Sequence, residues 1–155
     1  MSSARTRLIT EIAARVGRTV EWGIRMNHTA ASTLGINATD MVCLQTLQQG
    51  PRTAGELARH IGVTTASMTT MIDRLEKAGF VSRTRDPHDR RRVVVELATQ
   101  RARADIAPLF APLVKSWRDR LDGYDQRDLE LIIDFLAGLE ESFAAELEPG
   151  RDAQR

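Results

Sequence analysis

The stretch Arg83–Leu97, RTRDPHDRRRVVVEL, constrains the fold of this chain more than any other. An Asp-Pro turn and three consecutive arginines run directly into a β-branched strand. Just before it lies a short helical stretch, Thr64–Ala78, rich in threonine and stopped by Gly79. Helix, short strand, basic hairpin and strand, in that order, describe a winged helix-turn-helix. The wing supplies charge for a phosphate backbone and an arginine able to enter a minor groove. The helix supplies short polar side chains for base edges. The expectation is a DNA-binding regulator rather than an enzyme.

With 155 residues, the chain has room for one domain carrying helical extensions. Its 42% hydrophobic content excludes general disorder. No apolar run approaches the ~20 residues of a membrane span, and the N-terminus lacks an uninterrupted apolar segment. The expected location is the cytoplasm, without a signal peptide or membrane contact. A single cysteine, Cys43, agrees with that compartment. The net charge of +1 hides an asymmetry. Arginines 83, 85, 90, 91, 92, 101 and 103 crowd the middle, whereas aspartates and glutamates dominate from Asp119 onward. One basic face meets nucleic acid and an acidic end faces away.

Periodicity orders the elements. Leu8, Ile12, Val16, Val20 and Ile24 recur every four residues along a first helix over about 5–31. LGIN breaks it. A second helix follows from about Thr39, with Met41, Leu44 and Leu47 inward, and stops at Gly50-Pro51. Thr53 and Glu56 have capping-box spacing for a third helix. Gly62 turns the chain into the Thr64–Ala78 helix, where Met68, Met71, Ile72 and Leu75 face inward. Phe80-Val81 pairs with Val93–Leu97. Two long helices close the chain, over about 100–119 and 125–147; the second carries Leu129, Ile132, Ile133, Leu136, Leu139, Phe143 and Leu147 on a stripe. This apolar surface exceeds what a small winged domain needs, and a dimer interface accounts for the surplus.

With these residues in view, the chain resembles the MarR family of bacterial transcriptional regulators, from about Leu8 to Leu147. The match is strongest over Met71–Ala98, MIDRLEKAGFVSRTRDPHDRRRVVVELA, and extends to GPRTAGELARHIGVTTASMTT, Gly50–Thr70. The resemblance implies a mainly α fold with a small β-hairpin wing. It implies a dimerisation helix over 1–34, a winged helix-turn-helix over 35–98 and C-terminal dimerisation helices over 99–155. It implies a homodimer on double-stranded DNA with a pseudo-palindromic operator. Asp89 matches the family aspartate that orients an arginine, Arg91 the arginine placed in the minor groove, and Arg90 a second phosphate or groove contact. Positions 65 and 70 often carry arginine in relatives; both are threonine here, and Ala66 replaces a frequent serine. Base readout then rests on hydroxyls, methyl groups and DNA shape.

The expected DNA contacts are Thr53, Thr64, Thr65, Ser67, Thr69, Thr70, Arg74, Arg83, Asp89, Arg90 and Arg91. Threonines are poor helix formers, so a run of them inside a helix fits a DNA-facing surface better than capping alone. Arg74 reaches a phosphate or pairs with Asp73, Glu76 or Glu96. Relatives bind effectors between the dimer helices and the winged domain; Trp22, Met26 and Met41 either wall such a pocket, for a small aromatic or lipophilic ligand, or only fill the core. Cys43 lies among apolar residues with no cation within four positions, which favours a buried thiol over a redox switch. His28, His60 and His88 share no metal-ligand spacing, and no cofactor motif occurs. The leading reading is a homodimeric repressor released by a ligand. The alternatives are a redox-sensing repressor switching through Cys43 and a ligand-independent architectural or protein-interaction module.

Overall fold

The computed structural model describes residues 3–86, 89 and 91–147. Seven helices and one hairpin follow the order α1 (Ser3–Leu34), α2 (Ala38–Leu47), α3 (Ala54–Ile61), α4 (Thr65–Lys77), β1 (Val81–Arg85), β2 (Val93–Leu97), α5 (Thr99–Arg101), a π-helical turn (Ala102–Ile106), α6 (Ala107–Leu121) and α7 (Gln126–Leu147). The chain divides into two compact units, Met1–Leu109 and Phe110–Arg155. No helix among the described residues is long and apolar enough to cross a membrane.

The first unit contains the core. Met41, Leu44, Leu57, Met68, Ile72, Leu75 and Ile106 are at most 1% exposed, and each fully buried side chain of this size contributes roughly 1.5–3 kcal/mol. The inward residues expected for α2 and α4 are buried, and α2 buries Asp40, Cys43 and Thr46 as well. The C-terminal end of α1 joins this core through Ala30 and Ala31, small residues that let α2 approach closely. Earlier in α1 the helix exposes Leu8, Ile9 and Ile12.

Local chemistry fixes the breaks. Asn37 caps α2, and Asp40 returns the bond, its carboxylate accepting the Asn37 N–H at 3.2 Å. Thr53 and Glu56 form the expected box at α3. Gly62 ends α3 at φ 77°, a left-handed conformation that a side chain would strain. Gly79 does the same between α4 and β1, also at φ 77°.

The strands pair antiparallel, with Val81 opposite Leu97 and Arg85 opposite Val93. Arg52 adds a bridge to Val95, donating to its carbonyl at 3.0 Å and accepting its N–H at 2.8 Å. The hairpin is thus pinned to the segment before α3. The helix expected over 100–119 is not uniform. It contains the π-turn at Ala102–Ile106, and Pro112 lies inside α6, where it supplies no amide hydrogen.

Candidate nucleic-acid interface

Helix α4 has two faces. Met68, Met71, Ile72 and Leu75 are buried, whereas Thr65, Ala66, Ser67, Thr69 and Thr70 are exposed. Thr64 is the N-cap: its oxygen accepts the Ser67 N–H at 3.1 Å, and its hydroxyl donates to Ser67 Oγ at 2.9 Å. The Thr69 hydroxyl donates to the Thr65 carbonyl at 3.0 Å and that of Thr70 to the Ala66 carbonyl at 3.2 Å. These bonds occupy the hydroxyl protons and leave acceptor lone pairs and methyl groups outward. Threonine therefore caps and braces the helix as well as furnishing its outer surface. Thr53 is half-buried, and its hydroxyl accepts the Glu56 N–H at 3.3 Å.

The hairpin tip is organised by acidic side chains. Asp89 Oδ1 accepts the Arg91 N–H at 3.0 Å, and the Asp89 carbonyl accepts the Arg92 N–H at 2.9 Å. The Asp86 N–H in turn donates to the Arg92 carbonyl at 3.0 Å. Asp89 orients Arg91 through its backbone, and Arg91 is exposed. Arg90 and His88 lie outside the described residues.

Other arginines are held by carboxylates. Arg92 Nη2 lies 2.8 Å from Glu56 Oε1, tying the wing to the α3 capping box. The Thr53 amide and hydroxyl, with Arg92, hold Glu56 below the usual carboxylate range. Arg83 pairs with Asp73 at 2.5 Å and with Glu76, and these hydrogen bonds hold its guanidinium above its ordinary value. Arg83 is therefore engaged with α4 rather than poised over solvent. Arg74 is paired as well, but not with Asp73, Glu76 or Glu96. It grips Asp40 of α2, with Nε to Oδ2 at 3.2 Å and Nη2 to Oδ1 at 2.5 Å. Periodicity alone starts this helix near Thr39 and gives Asp40 no role; the Asn37-x-x-Asp40 capping spacing is the signal that finds it.

Residues 36–93 match the MarR family model. Over 126 residues, 81% of this chain and 81% of the other, the chain is 41% identical to the uncharacterized HTH-type transcriptional regulator YcgE of Bacillus subtilis. The chain belongs to the MarR family. It is accordingly a transcriptional regulator with a DNA-binding winged helix, and not an enzyme. The HTH-type transcriptional repressor Rv2887 of Mycobacterium tuberculosis is 46% identical over 55 residues, 35% of this chain and 40% of that one. Among solved structures, a MarR family protein from Bacillus stearothermophilus has the same fold at a TM-score of 0.61, with 20% identity over 93% of this chain and 99% of that one.

In this MarR-family chain, an open groove of about 560 Å³ lies against α1, α2 and the end of α3. Val20, Ile24, Val42 and Ile61 supply its apolar wall, and Asn27, His28, Thr39 and Gln45 its polar groups. Asn27 Nδ2 donates to the Ala38 carbonyl at 3.2 Å, while its Oδ1 is buried without a partner among the described residues. The expected walls, Trp22, Met26 and Met41, do not line this groove. Met41 is in the core at 0% exposure, Met26 is half-buried, and Trp22 is 63% exposed beneath the Arg25 guanidinium, 4.6 Å from its ring centre. The helical phase that turns α1 toward α2 at Asn27 and Ile24 turns Trp22 away.

Cys43 is fully buried. Burial, then the charge of Asp40, pushes its thiol up to about 11. Neither the exposure nor the thiolate that an oxidant sensor needs is present there.

Proposed function

We propose that this chain is a homodimeric, sequence-specific repressor whose hold on DNA is released by a small lipophilic ligand. The observation that carries the DNA reading is a pair of exposed elements in one compact unit. Helix α4, fixed by four buried side chains, presents Thr65, Ala66, Ser67, Thr69 and Thr70 on its exposed face, in the same unit as a hairpin whose turn bonds orient Arg91. In a major groove, threonine oxygens accept from adenine or cytosine amino groups and threonine methyls meet thymine methyls. None of these five residues can form the bidentate arginine contact to guanine. Arg91 enters the minor groove and favours a narrow, A·T-rich one. Thr53 and Thr64 present helix N-termini to the phosphates. By its place in the sequence, Arg90 is proposed as a second cationic contact. Arg74 and Arg83 are reassigned from phosphate contact to support of α4, since their carboxylate partners occupy them.

The dimer reading rests on apolar exposure. No residue of α6 or α7 is buried within the chain. Trp117, Leu131, Ile133, Leu136 and Phe143 are all at least half exposed, as are Leu8 and Ile24 of α1. Isolated chains rarely leave so many large apolar side chains of one helix in water. The repressor assignment follows the printed role of the mycobacterial relative. The groove beside Asn27 is the ligand site in this reading, its wall of Val20, Ile24, Val42 and Ile61 suited to an apolar molecule.

Enrichment of duplexes from a random library by the purified chain tests this reading. The expected product is a pseudo-palindrome with half-sites about one helical turn apart, ~10 base pairs, and A·T-rich flanks. A library that stays random after repeated selection contradicts it.

A further inference from the structure

Asp40 is a charged side chain at 1% exposure, and its partner lies 34 positions away on the recognition helix. One carboxylate performs two tasks. It accepts the Asn37 N–H and so closes the first turn of α2. It also receives both the Nε and Nη2 groups of Arg74. The apolar contacts that hold α4 are non-directional and tolerate small rotations of the helix. A two-point arginine–carboxylate bond does not: the planar guanidinium meets the carboxylate in one orientation. Rotating or sliding α4 breaks both bonds and leaves a buried carboxylate without its counter-charge, which is strongly disfavoured. The same cost keeps Arg74 from leaving Asp40 for a phosphate.

We infer that the Asp40–Arg74 pair sets the angle at which the recognition helix is presented to DNA, so that Arg74 is a positioning residue acting through α2 and not a DNA contact. The inference rests on sequence-specific DNA binding, but fails separately from it. If that reading fails, the wild-type chain binds the selected and a scrambled duplex equally; if this one fails, only the variants reveal it.

The experiment is a binding titration of the selected and scrambled duplexes at several salt concentrations. Asp40→Asn keeps an acceptor for the Asn37 N–H and removes the charge. It is expected to weaken the selected duplex about ten-fold, with scrambled DNA and the salt slope unchanged. Arg74→Gln behaves alike, and the double variant binds no worse than the weaker single one, because the two residues act as a unit. Arg74→Lys covers the case of a variant that fails to fold. It keeps a cation over the buried carboxylate and loses only the planar fork, and it is expected to retain part of the selectivity. Three outcomes overturn the inference. Asp40→Asn can bind tighter with a steeper slope, which means that Arg74 has been released to a phosphate. Arg74→Gln can lower the slope by about 0.9 per subunit, the signature of a direct phosphate contact. Arg74→Lys can leave the affinity for the selected duplex unchanged.

Discussion

Arg91→Ala lowers affinity for the selected duplex about a hundred-fold and leaves the fold intact. Arg91 is exposed, and the structural bond at this position uses its backbone N–H, which alanine retains. Stability therefore stays within about 0.5 kcal/mol of the parent, as for most surface substitutions. A hydrogen-bonded guanidinium contributes about 1.5 kcal/mol, and a twofold complex loses two of them, hence the hundred-fold figure. Asp89→Ala gives a smaller loss, because the guanidinium remains while the turn that aims it loosens. Fluorescence anisotropy with the selected duplex, alongside thermal melting, measures both quantities. Unchanged affinity for Arg91→Ala removes the wing from the mechanism.

The second large effect is expected at the C-terminal helix. Leu136 and Phe143 are seven residues apart on α7, hence on one face, and are 50% and 53% exposed in the single chain. In a dimer that face is dry, and two carboxylates per subunit placed there face heavy desolvation. Leu136→Asp combined with Phe143→Asp is expected to convert a species of twice the 17.3 kDa chain mass into monomer. DNA affinity falls with it, since one subunit reads one half-site. Sedimentation at micromolar concentration decides the matter; a native, fully dimeric double variant places the interface elsewhere.

What was legible in the sequence follows the range of the interaction. Capping by Thr53 and Glu56, the turn at Gly62 and the inward set Met68, Met71, Ile72 and Leu75 are written within one or two helical turns, and all appear as expected. So does the strand pair flanking the arginine-rich turn. Contacts between distant segments were not legible. Arg52 bridging Val95, Arg92 reaching Glu56 and Arg74 reaching Asp40 join residues whose proximity only the tertiary fold creates. Arginine clusters announce positive charge but not which arginines are already paired, so the sequence reads Arg83 as a phosphate ligand and leaves Arg74 open between a phosphate and a nearby carboxylate. The expected effector walls also depend on a helical phase that their residue types do not reveal. Trp22, Met26 and Met41 are the right chemical types near the right helices, but helical phase sends them in different directions, and the groove forms around Val20, Ile24 and Val42 instead.

The proposed regulator divides labour between the wing arginines, which supply charge, and a recognition helix whose DNA-facing residues are uncharged. The most direct test of that division is the salt dependence of binding to the selected and scrambled duplexes. Each phosphate neutralised contributes about −0.9 to the slope of log K against log salt, so two cationic contacts per subunit, Arg90 and Arg91, give roughly −4 in a dimer. The expected result is a slope of roughly −4 for both duplexes, with a constant offset in favour of the selected one that Thr70→Ala shrinks without changing either slope. A nearly flat salt dependence, or a Thr70→Ala chain with unaltered selectivity, contradicts the account.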